Sequence, residues 1–389
     1  MEWINILHLY QPANLEPAKV VEATQQSYER IVRALEQHPE VKMTLNIAGC
    51  LVKRWDEEFH YDDLISRIRT LVERGQIELL GSAAYHALLP LVSIEEAEAQ
   101  IIDQSEILRK YFGAISLKGF FLPELAYSTE VAKLIKRLGY EWLVLDETSL
   151  SEAKVDWSKG YIDQASGLKI AFRARNYSES YVPSTLLKLA ARPDHSHTIV
   201  SASDAELYGL RHLDPLAEFE QVLKLPNVNT LTGSEFVSSR QNAESVVLHP
   251  SSWQSTKKEI LNNNPYKLWS DPKNKLHRDL WQLANLAQDL NRKHTADKNI
   301  WWSRWHLVRG LASCVWWWAS SHDFRKVYGP VAWNPDEIEK GINELVRSIR
   351  ALEASTDLDT KVAAEKLAQR IRKDIWTRHW KKKIGQKLI

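Results

Sequence analysis

"SLKGFFLPELAYSTEVAKLIKRLGYEWLVLDE", residues 116–147, is the stretch from which the fold is read. Phe120, Phe121 and Leu122 form a short apolar run of buried-strand type. Pro123 cannot donate to a central sheet ladder, so the strand ends there. A helix, "STEVAKLIKRLG", and a second apolar strand, "YEWLVLDE", follow. Glu124 is then the first polar side chain beyond the first strand. One reading makes it a first-turn carboxylate favoured by the dipole of the following helix. The other makes it a group placed there for chemistry.

The same alternation continues in both directions. Upstream lie the strands "WINILHL", "KMTLNIAG" and "QIELLGS", separated by the helices "EPAKVVEATQQSYERIVRALEQHP" and "YDDLISRIRTLVERG". The helix "SIEEAEAQIIDQSEILRKYFG" opens with a capping box, Ser93 and Glu96. Downstream lie the strands "LKIAFRA", "HTIVSAS" and "VNTLTGS". Strand–helix alternation argues for a parallel sheet covered by helices, and seven or eight units suit a barrel. The expectation is an α/β barrel domain over residues 1–270. From there to residue 389 the segments "LHRDLWQLANLAQDLNRK", "WWSRWHLVRGLASCVWWWASS", "NPDEIEKGINELVRSIRALEAS" and "LDTKVAAEKLAQRIRKDIWTRHWKKK" read as a helical region packed on it.

Composition narrows the class. The 389 residues carry 44% hydrophobic and 26% charged residues, ordinary for a globular chain, and a net charge of +1 gives no polyelectrolyte signal. Cys50 and Cys314 make no disulfide framework, which fits a reducing compartment. The opening "EWINILHLYQP" lacks the features of a signal peptide, and no apolar run is long enough to span a bilayer. A cytoplasmic location without a membrane partner is expected. Sixteen tryptophans are the compositional outlier, as packing groups or as flat platforms for sugar rings. The tail "RIRKDIWTRHWKKKIGQK" interleaves bases with Trp376 and Trp380. It reads as a solvated helix face, with nucleic-acid contact as the exception.

In barrels of this kind the reactive residues sit just past the C-terminal strand ends. There the chain carries His8, Tyr10 and Gln11, then Tyr85 and His86, Glu124, Asp146, Arg173 and Arg175, Asp204 with Glu206, and Glu235. Two carboxylates on separate strand ends can flank a glycosidic bond, one attacking C1 and the other protonating the leaving oxygen. Glu124 and Asp204 suit this best, because each directly follows an apolar strand. His8 and His86 read either as hydrogen-bonded core residues or as ligands. The absence of an HxxxH or CxxC pattern, and of an HxH at the first strand, disfavours a metal, and no cofactor is expected.

These motifs resemble, in order, those of glycoside hydrolase family 57. "HLYQP" is similar to the family's first motif, "GQIELLGSAAYHALLPL" to the second, "GFFLPE" to the third and "SDAELYG" to the fourth. "SSWQS" and "NPYKLWSDPKNKLHRDLW" look like later Trp-containing segments. The resemblance implies an incomplete (β/α)7 TIM-like barrel and a retaining enzyme acting on α-linked glucans or oligosaccharides, by hydrolysis or transfer. It implies Glu124 as nucleophile and Asp204 as general acid/base. As an acid Asp204 has to hold a proton, which burial and a charged Glu124 nearby favour. His8, Gln11, His86, Arg173 and Glu206 are the expected sugar-hydroxyl contacts, and Phe121, Trp253 and Trp269 the stacking surfaces. The chain departs from the pattern at Phe121, where the family usually has Trp nearby. It departs again at Trp316–Trp318 in "LASCVWWWASSHDF", where the expected Asp is displaced to Asp323. The rival readings are an inactive carbohydrate-binding protein on the same barrel and a metal-dependent polysaccharide deacetylase.

Overall fold

The structure is a computed structural model. It describes residues 1–150, 154–192, 197–321, 332–353 and 357–385; Asp323 lies outside them. The chain divides into two compact units, residues 1–84 with 98–253 and residues 85–97 with 254–389. The expected division was a single cut at residue 270. The first of these units ends at Trp253, and residues 85–97 belong to the second.

The first unit is α/β. β1 (Glu2–Leu9) is buried from Trp3 to Leu9, as a parallel strand covered on both faces must be. It pairs in parallel with β2 (Met43–Ile47), which pairs with β3 (Ile77–Leu79). The second sheet contains β4 (Gly119–Phe121), β5 (Trp142–Asp146), β6 (Tyr161–Asp163) and β7 (Lys169–Arg173), and β5 runs parallel between β4 and β7. β8 (Thr198–Asp204) returns to the first sheet on the other side of β1, with β9 (Asn229–Thr230) also on β1. β10 (Glu244–Val246) pairs with β6, which meets β7 antiparallel. Two further links join the sheets: a parallel bridge between Gly81 and Phe120, and a 2.8 Å bond from Ala174 N to Val200 O. The expected strands all occur, "VNTLTGS" contributing only Asn229–Thr230. β6 and β10 were not expected, being short and carrying few apolar residues.

Alternation along the strands positions the site. Ile4 and Ile6 of β1, Val144 of β5, Ala171 of β7, and Val200 and Ala202 of β8 share one buried cluster with Phe121, Leu125, Trp142 and Trp253. The next residue on the same face, two positions further along each strand, is His8, Asp146, Arg173 or Asp204. Apolar residues thus fill the strands, and polar ones cap them at their C-terminal ends. Gly119 permits the close packing at the start of β4: a Cβ there would lie 2.3 Å from the Trp142 ring.

The second unit is helical. Its main helices are Lys275–Lys293, Ile300–Gly310, Pro335–Ala351 and Leu358–Gly385. The stretch expected as one helix through "WWSRWHLVRGLASCVWWWASS" breaks between Ile300–Gly310 and Cys314–Trp317. The cause is a competing pairing. Ala312 bridges to Ala87, and Ser313 N donates to His86 O at 2.9 Å. Trp316 is fully buried and stacks on Trp281, with ring centroids 4.0 Å apart. In the basic tail, Trp376 donates to Glu339 at 3.1 Å and Ile371 and Ile375 are buried, so one face of that helix packs on its own unit. Among the described residues no helix is long and apolar enough to cross a membrane.

Candidate active site

Pro123 ends β4, and the chain turns at once. Glu124 has φ 60° and ψ 15°, and Leu125 has φ 47°, both in the left-handed region that non-glycine residues seldom occupy. Strain of this kind persists only where the surroundings hold it, and it gathers at functional sites. Here the anchors are clear. Leu125 is fully buried, Trp253 N donates to Glu124 O at 3.0 Å, and Tyr127 and Ser251 form an antiparallel bridge. The Glu124 side chain is half-buried, and Trp253 Nε1 donates to its Oε2 at 2.8 Å. The helix Thr129–Arg137 starts only later, capped by Ser128, whose Oγ accepts from Val131 N. Glu124 therefore is not that helix's first-turn carboxylate.

Asp204 is the last residue of β8, in register with His8 of β1. It is partly exposed and forms an ion pair with Arg211 at 2.5 Å. His8 is the register partner of Asp204 and meets Trp253, the residue that holds Glu124. Its imidazole lies flat on Phe121, centroids 4.7 Å apart at 9°, and meets the edge of Trp253 at 6.2 Å. Asn46 Oδ1 contacts His8 Nδ1 at 2.6 Å. Burial lowers the proton affinity of His8, while the Asp204 charge and the Asn46 contact oppose that.

The remaining expected contacts divide by environment. Phe121 is wholly buried against the His8 imidazole, so its ring is no open stacking platform. Arg173 is buried and its donors are used internally: Nε to Asp146 Oδ2 at 2.7 Å, and its terminal nitrogens to Ala202 O at 2.9 Å and Trp253 O at 3.1 Å. It holds Trp253 in place instead of reaching for a hydroxyl. Gln11 Nε2 donates to Glu206 Oε1 at 2.5 Å and to the Tyr28 hydroxyl at 3.0 Å. Glu206 is buried, and burial pushes its carboxyl up to about 7, Arg211 opposing and Asp204 adding. Glu235 is the third residue of a capping box with Thr232, a structural duty. His86 and Trp269 belong to the second unit. His86 sits there at φ 60° with Nδ1 2.9 Å from Ser313 Oγ, and the buried Trp269 accepts from Trp281 Nε1 at 2.9 Å through its carbonyl.

Sequence reasoning missed Arg211, Tyr28 and Asn46. Arg211 and Asn46 stand beside residues that motif reading does single out. Tyr28 lies inside a helix whose periodicity carries no such signal.

A model described as Glycosyl hydrolase family 57 matches residues 7–192. The resemblance seen in the motifs therefore holds across much of the first unit. An alpha-amylase of Pyrococcus abyssi is 27% identical over 220 residues, 52% of this chain and 32% of that protein. A 4-alpha-glucanotransferase of Thermococcus litoralis is 29% identical over 167 residues, 40% of this chain and 24% of that protein. The matches thus span about a third or less of these relatives' length. Among solved structures, a family 57 branching enzyme of Thermococcus kodakaraensis superposes with a TM-score of 0.70 at 16% identity, covering 95% of each chain. At that identity the likeness is one of fold.

Proposed function

We propose that this protein is a retaining glycoside hydrolase or transglycosylase acting on α-linked glucans. The observation that carries the reading is Glu124. It is a strand-end carboxylate in a left-handed conformation, half-buried, and held by the indole N–H of Trp253. Its carboxylate attacks the anomeric carbon, the glycosidic C–O bond breaks, and the Asp204 proton passes to the leaving oxygen. Asp204 then takes a proton from water or a sugar hydroxyl as that oxygen attacks C1 and releases Glu124. His8 and Trp253 face the same strand ends and are proposed to bind the sugar between the carboxylates. His86 and Trp269 are proposed as further sugar contacts. The two linked sheets are read as an incomplete (β/α)7 barrel, and the location as cytoplasmic.

The test is incubation of the purified protein with maltooligosaccharides, products being followed by chromatography. Shortened and lengthened chains together indicate transfer, shortened chains alone hydrolysis. Wild-type protein that converts no α-glucan overturns the reading.

A further inference from the structure

The helix after β1 is not α-helical throughout. Between Pro17–Ala23 and Glu29–Gln37 it passes through one π-helical turn, Thr24–Tyr28. Such a turn inserts a residue and re-aims the side chains on it, and it recurs at functional sites. Here those side chains meet the segment that follows Asp204. Ser27 Oγ donates to Ala205 O at 2.6 Å, and the Tyr28 hydroxyl donates to Glu206 Oε1 at 2.5 Å. Gln11 Nε2 donates to that same oxygen at 2.5 Å. Gly209 closes the fit: its φ is 121°, and a Cβ would lie 2.3 Å from Gln26 O. The turn is anchored from below as well, Trp55 Nε1 donating to Thr24 Oγ1 at 3.0 Å.

Glu206 in turn holds Arg211, whose backbone N donates to Glu206 O at 2.7 Å and whose guanidinium pairs with Asp204. The charge of Arg211 thus acts on both Asp204, its ion-pair partner, and the Glu206 carboxyl. We propose that Glu206, gripped by Gln11 and by Tyr28 of the π-helical turn, is a positioning residue for the Asp204–Arg211 pair, its charge setting how far Arg211 neutralises Asp204. The proposal rests on reading Asp204 as the acid/base. Such a group has to exchange a proton, and a lone guanidinium favours its charged form. An ionised Glu206 opposes that. The groups facing this cluster are Tyr28 and Gln11 from the segment after β1, His8 from β1, and Asp204 and Arg211 from Glu206's own segment.

The experiment is a 13C NMR titration of protein labelled at the glutamate carboxyl, with the Glu206 signal identified by its loss in Glu206→Gln. In wild type this signal is expected to titrate near 7, because burial and Asp204 raise it. Tyr28→Phe removes a donor to the charged form and is expected to move the midpoint up by about one pH unit. Asp204→Asn is expected to move it down. Glu206 titrating in the ordinary carboxylate range, or unmoved by either variant, overturns the proposal. Should Tyr28→Phe fail to fold, Gln11→Met removes the other donor on the same oxygen and carries the same expectation. These readouts need no turnover, so an inactive wild type counts against the proposed function alone.

Discussion

Trp253 Nε1 donates a 2.8 Å hydrogen bond to Glu124 Oε2, while Trp253 N donates to Glu124 O at 3.0 Å. One residue therefore fixes both the backbone and the carboxylate of the proposed nucleophile. Trp253→Phe keeps a ring against His8 and Phe121 and removes only the side-chain donor. A hydrogen bond to a charged group is worth roughly 1.5–3 kcal/mol, so kcat is expected to fall about 10- to 100-fold with KM little changed. Steady-state kinetics on a maltooligosaccharide check this. A rise in KM at constant kcat assigns Trp253 to ground-state sugar binding instead.

Asp204→Asn removes the proposed proton donor, and general acid–base groups contribute about 10²- to 10⁴-fold. The loss is expected to be large on a maltooligosaccharide and small in the first step on an α-glucosyl fluoride, whose leaving group needs no proton. Pre-steady-state release of fluoride measures that step. Equal losses on both substrates speak against Asp204 as the acid.

Arg173 and Asp146 form a buried ion pair at 2.7 Å, with Arg175 also on Asp146 at 3.1 Å. Removing one partner of such a pair typically costs 3–5 kcal/mol, because the other charge is left buried. With Arg175 remaining, Arg173→Met is expected to cost about 3 kcal/mol in thermal or denaturant unfolding. Arg173→Lys should not restore it, since a single ammonium cannot reach Asp146, Ala202 O and Trp253 O together.

Asp214 is expected to contribute to the acid side of stability. Its burial is outweighed by bonds from the Tyr181 hydroxyl, Glu218 N, Arg30 and Phe219 N, which hold the carboxyl at about 2 against its ordinary 3.8. A lowered folded-state value stabilises the protein above the unfolded value, and that contribution is lost as pH falls through the folded one. The melting temperature is therefore expected to drop between about pH 4 and pH 2. Asp214→Asn should be less stable at pH 7 and show a flatter acid limb. An unchanged acid limb in this variant contradicts the assignment.

Much of the first unit was legible because its strands are short apolar runs, each ended by a turn residue or a polar side chain. Alternation carried the argument further: Ile4, Ile6 and His8 lie on one face of β1, as do Val200, Ala202 and Asp204 on β8. Phe121 shows where residue type alone misleads. An aromatic beside the proposed nucleophile suggests a sugar platform, but its strand position turns it inward, beneath His8. Arg173 misleads in the same way, because nothing local reveals that Asp146 will bind its guanidinium. The π-helical turn was illegible: its extra residue leaves the apolar pattern of residues 17–37 intact, and its purpose lies in Ala205 and Glu206, far along the chain.

The central claim is that Glu124 carries a covalent glycosyl group. The most direct measurement is 1H NMR of the anomeric signal as the protein acts on maltoheptaose, with wild type beside a folded Glu124→Gln. The account predicts that the α anomer forms first in wild type and that turnover is lost in Glu124→Gln. A β anomer appearing first, or Glu124→Gln turning over at the wild-type rate, contradicts it.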